Sequence, residues 1–104
     1  MKKSLFILSF LYIGTIFGQS TIHLEDFQAG IPVNYSIIDN DGLSPHPSVS
    51  EYTDAWIATL DPEDGTNGVA ASTSYFDPAG QASRWLITPA LSLSSFGNNI
   101  SWKA

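Results

Sequence analysis

The chain has 104 residues, ten acidic and four basic, and a formal net charge of −6. That length allows one small domain, and an acidic surface repels phosphate backbones, which argues against nucleic acid as a partner. With no cysteine there is no disulfide framework, no lipid-attachment thiol and no thiol nucleophile.

The first stretch, MKKSLFILSFLYIGTIFGQS, has the anatomy of a secretory signal peptide. Lys2 and Lys3 form a basic head, an apolar run covers 5–17, and Gly18 precedes the polar Gln19 and Ser20. The run is shorter than the ~20 residues of a spanning helix, and Ser9, Tyr12 and Thr15 interrupt it. The reading is a cleaved signal over 1–18 and a mature segment over 19–104 that is secreted or held at the cell surface, with no membrane span after processing. Removal of the leader leaves Arg84 and Lys103 against ten acids, a net charge of −8 over about 85 residues.

In the mature segment Gly and Pro recur every few residues and break any helical period, while short β-branched and aromatic runs lie between the breaks. Strands are expected at 21–27, 34–38, 54–60, 69–76, 84–88, 90–93 and 99–104. The loops between them include DNDGLSPHP (39–47), DPEDGTNG (61–68) and DPAGQAS (77–83). Seven short strands of this kind predict an all-β fold, a sandwich or jelly roll. Trp56, Trp85 and Trp102 are expected to fill its core, as aromatic residues of a sandwich commonly do. The last expected strand stops at Ala104 without a polar tail and would leave Ile100 and Trp102 on an apolar edge. The expectation is therefore an incomplete domain, the N-terminal part of a larger one.

Two motifs bear on chemistry. Asp39 and Asp41 stand one residue apart before Gly42, an arrangement that can aim two carboxylates at one calcium ion. The same residues also suit an Asx turn, in which the side chains bond their own backbone. The loop lacks the glycine and the terminal glutamate of an EF-hand. Asp61, Glu63 and Asp64 read as a solvated turn. Against catalysis, there is no G-x-S-x-G elbow. His23, expected on a strand surface, and His46, expected exposed between two prolines, have no triad or zinc spacing.

Four stretches in order resemble the cleaved-adhesin and choice-of-anchor J family, known from the haemagglutinin/adhesin regions of gingipain-type proteases. They are EDFQAGIPVNYSIIDNDGL (25–43), TDAWIA (53–58), GVAASTSYFDPAG (68–80) and WLITPALSL (85–93). The resemblance spans about residues 24–104. It implies a jelly-roll-type β-sandwich with structural calcium, in which WLITPALSL is two strand segments joined at Pro89 with Trp85 and Leu86 packing inward. Two positions depart from the family pattern: Gln28 stands where an acid follows the first-strand Phe, and Ser83 and Arg84 precede Trp85 where the family often has Asp. Both departures weaken a calcium site.

These readings combine into a secreted, non-catalytic adhesion or ligand-binding module, calcium-stabilised through Asp39 and Asp41, with an extracellular protein or glycan as partner. The alternatives are an accessory module of a secreted hydrolase whose catalytic domain lies downstream, or a truncated fragment without function.

Overall fold

The computed structural model describes residues 20–104. The signal-peptide reading of 1–18 lies outside them. Among the described residues the regular structure is β, with no α-helix. Strand β1 covers Ser36–Asp39, β2 Ile57–Leu60, β3 Gly68–Ala71 and β4 Arg84–Ile87, and one 3-10 turn lies at Pro47–Val49. The strands form two antiparallel pairs, β1 with β4 and β2 with β3. The all-β expectation holds at this level.

Local chemistry accounts for the pairs. β2 and β3 close over the turn-rich 61–67 connection, where the Asp61 N–H donates to the Asn67 carbonyl at 2.8 Å and the Asn67 N–H to the Asp64 carbonyl at 3.0 Å. Asp61 Oδ1 accepts the Glu63 N–H at 2.8 Å, and Asp64 Oδ1 accepts both the N–H and the hydroxyl of Thr66. The segment is the turn expected from the sequence, and these carboxylates bond within it. β1 and β4 are distant in sequence. Their register pairs Ser36 with Ile87, Ile37 with Leu86, Ile38 with Trp85 and Asp39 with Arg84, and a bond from the Asn40 N–H to the Ser83 carbonyl continues it. A single bridge, Pro45 to Phe76, ties the loop after β1 to the segment before β4.

Three expected strands are absent. Over 21–27 the chain is irregular and bends at its end: Glu25 Oε1 accepts the Phe27 N–H at 2.7 Å, Asp26 Oδ1 accepts the Gln28 N–H at 3.1 Å, and Phe27 takes a φ of 56°. Acidic side chains next to their own backbone compete with a ladder. Segments 90–93 and 99–104 have no pairing partner among the described residues, and apolar residues without a ladder do not make a strand. Ile100 and Trp102 are exposed.

Among the described residues the buried apolar ones are Ala55 and Phe76. Trp56 is half-buried, and its indole N–H is shut off from solvent without a partner. The expectation that Trp85 packs inward is corrected: it is 56% exposed. The reason is register. Ile38 and Trp85 are directly opposed, so Trp85 shares the outward face with Ile38 and Ile87, while Ile37 and Leu86 take the half-buried face.

Candidate functional site

Two features of the β1–β4 pair carry the functional argument, one on each face. On the inner side Asp39 and Arg84 are register partners at the end of the ladder. The chain then turns through Asp39 and Asp41. Asp39 Oδ1 accepts the N–H groups of Asp41 (3.1 Å) and Gly42 (2.9 Å), and Asp41 Oδ1 accepts that of Leu43 (2.9 Å). Gly42 has a φ of 61° and completes the bend.

This Asx turn presents the Asp41 carboxylate to β4. Its Oδ2 accepts the Ser83 N–H at 2.8 Å and Arg84 Nε at 3.1 Å, and its Oδ1 accepts Arg84 Nη2 at 3.3 Å. Arg84 Nη2 also donates to the Leu43 carbonyl at 2.7 Å and lies 3.8 Å from Asp39 Oδ2. The Arg84 and Asp41 side chains are only 4% and 2% exposed. Beneath them the guanidinium carbon sits 4.6 Å from the centre of the buried Phe76 ring, a cation–π distance. The Arg84 guanidinium holds the Asp41 carboxyl far below the usual carboxylate range; the Ser83 and Leu43 N–H groups and Asp39 act in the same sense, and burial opposes them.

The residues singled out for calcium are thus brought together, but around a guanidinium. Calcium takes six to eight oxygen ligands at about 2.3–2.6 Å. An ionised carboxylate offers about four lone-pair positions, and those of Asp41 meet two backbone N–H groups and two guanidinium nitrogens. An ion held by both Asp39 and Asp41 would have to displace Arg84, so this donor set does not fit calcium. No group of three or more His, Asp or Glu side chains suited to a metal occurs among the described residues.

The histidines serve local structure. His46 is half-buried, not exposed as expected. Its ring stacks on Tyr75 at 4.3 Å, and its Nδ1 accepts the Ser48 N–H at 3.1 Å, capping the 3-10 turn. His23 is exposed, lies outside any strand, and places Nε2 2.6 Å from the Tyr35 hydroxyl. Burial, and then the charge of Glu25, push the Tyr35 hydroxyl up from its ordinary value.

On the outer side Ile38, Trp85 and Ile87 stand on one face of the pair, all exposed, with Ser36 as the polar member. Sequence reasoning missed this patch because Trp85, Leu86 and Ile87 are consecutive apolar residues, and such a run does not reveal which face is covered. It singled out Arg84 only as a departure that weakens a calcium site, and missed its pairing with Asp41. The available signal was charge: one of only two basic residues in 19–104 opens an otherwise apolar strand.

Comparison with protein-family models, with curated proteins and with solved structures finds no match to this chain. No helix among the described residues is long and apolar enough to cross a membrane.

Proposed function

We propose that this protein is a secreted, non-catalytic adhesion or ligand-binding module, and that its two sheets belong to a jelly-roll-type sandwich. The observation that carries the binding reading is the exposed row Ile38, Trp85 and Ile87 on one sheet face. A half-exposed tryptophan flanked by aliphatic side chains is the kind of anchor on which protein interfaces concentrate their energy. The face favours a protein ligand over a glycan. Sugar hydroxyls need several convergent hydrogen-bonding side chains, and this face contributes only Ser36. The leader-like stretch 1–18 supports export, and the four adhesin-like stretches support the sandwich and the binding role.

The test is to probe arrays of extracellular proteins and of glycans with the labelled chain. Saturable binding to protein targets is the expected result. Saturable binding confined to glycans would replace the protein reading with the carbohydrate one. Turnover of peptide, ester or glycoside substrates at enzyme-like rates by a sample free of host enzymes would overturn the non-catalytic assignment.

A further inference from the structure

We infer that Arg84 is a built-in cation for the Asp39–Asp41 loop, so that the loop closes on β4 without a metal ion. Three observations carry this. The guanidinium lies between the two carboxylates, bonded to both oxygens of Asp41 and 3.8 Å from Asp39 Oδ2. Its charge is withdrawn from solvent, since little of the Arg84 and Asp41 side chains is exposed. It is also held from sides that do not involve the acids, by the Leu43 carbonyl at 2.7 Å and by the Phe76 ring at 4.6 Å. A dication would supply charge and oxygen coordination but could use neither the directed N–H bonds nor the ring in the same way. Guanidinium supplies a planar fork matched to a carboxylate and stacks on aromatic faces. The formal balance agrees: two carboxylates and one guanidinium leave a single negative charge at the loop, next to the part-exposed Asp39 side chain.

The role has a consequence that a passive surface ion pair would not have. Removing Arg84 leaves a buried carboxylate without a counter-charge, which is strongly unfavourable, and vacates a position flanked by carboxylate oxygens. Calcium, idle against the native protein, becomes a substitute cation for that variant.

The experiment is thermal melting of the full chain in millimolar calcium and in chelator. It covers the native protein, Arg84→Met, the double variant Asp41→Asn/Arg84→Met and Arg84→Lys. The native midpoint is expected to be the same in both media. Arg84→Met is expected to melt lower in chelator and to regain about 5 °C or more with calcium. The double variant, which has lost the buried charge, is expected to ignore calcium, and so is Arg84→Lys, which keeps a cation. Terbium, whose emission nearby tryptophan sensitises, gives a second readout: bright emission is expected with Arg84→Met and background emission with the native chain and the double variant. A native midpoint that rises with calcium, with the rise lost in Asp39→Asn/Asp41→Asn, would overturn the inference. So would an Arg84→Met chain, folded or unfolded at the outset, that gains no more from calcium than the double variant.

Discussion

Gln28 hydrogen-bonds both backbone groups of Gly68. Its Nε2 donates to the Gly68 carbonyl at 3.2 Å, and its Oε1 accepts the Gly68 N–H at 3.1 Å. The side-chain amide behaves as one more peptide unit at the start of β3. Its Nε2 also reaches Asn67 Oδ1 at 2.7 Å. A carboxylate at this position would keep the acceptor but lose every donor, so the amide here is suited to joining segments and not to holding an ion.

Gly68 is the other half of that relationship. A Cβ there would meet the Phe27 carbonyl oxygen at 2.6 Å, and the backbone cannot yield as a flexible side chain would. Gly68→Ala is expected to destabilise by about 1–3 kcal/mol, as overpacking does. Gln28→Glu is expected to cost about 1 kcal/mol through the lost donor bonds, while Gln28→Asn, too short to span both groups, is expected to cost a similar amount. Urea melts of the three variants check this; a neutral Gly68→Ala would show that β3 and the Phe27 turn are not packed as described.

Stability is expected to be level from neutral pH down to about pH 5 as far as Asp41 is concerned, and to fall below about pH 4. The sign follows from the carboxyl being held low in the folded chain, chiefly by Arg84. Such a group contributes its full stabilisation above the unfolded value of about 3.9 and loses it as pH drops towards the folded one. Asp64, lowered mainly by its bond from the Thr66 hydroxyl, acts in the same direction from an exposed turn. Melting midpoints between pH 2 and 7 for the native chain and for Asp41→Asn test this. The variant should start lower and show a shallower acid limb, and parallel curves would contradict the assignment.

The positions of all four strands were legible in the sequence because each belongs to a short run of β-prone or small residues between Pro, Gly or Asp breakers. Ser36–Asp39, Ile57–Leu60, Gly68–Ala71 and Arg84–Ile87 all fall within or against expected runs. The false strands, at 21–27, 90–93 and 99–104, show the limit of the same signal: propensity marks what a segment can do, and a ladder also needs a partner. The Asx turn at Asp39 was legible as one of two readings because its chemistry is local. The Asp41–Arg84 pair was not, since its members are 43 residues apart and the register that unites them comes from β1 and β4. The orientation of Trp85 was hidden for the same reason.

With Ala55 and Phe76 as the buried apolar residues among those described, residues 20–104 remove little apolar surface from water, and burial is what offsets chain entropy. Melting of the chain alone is expected to be broad and to have a small denaturant slope. A sharp two-state transition with coincident fluorescence and circular-dichroism curves would contradict this.

Export is expected to remove the leader. Mass spectrometry of the exported product should find an N-terminus near Gln19. Retention of residues 1–17 in a membrane fraction would contradict it.

Binding through the outer face of β1 and β4 is decided by the affinity of a protein partner identified on the array for Trp85→Ser, with Trp102→Ser as the comparison. Trp102 is 79% exposed but lies outside the sheets, so its loss controls for removing an exposed indole as such. Trp85→Ser is expected to weaken binding by about tenfold or more, the scale of an interface anchor, with its melting behaviour unchanged and with Trp102→Ser binding like the native chain. A Trp85→Ser chain that binds as tightly as the native protein would contradict the account.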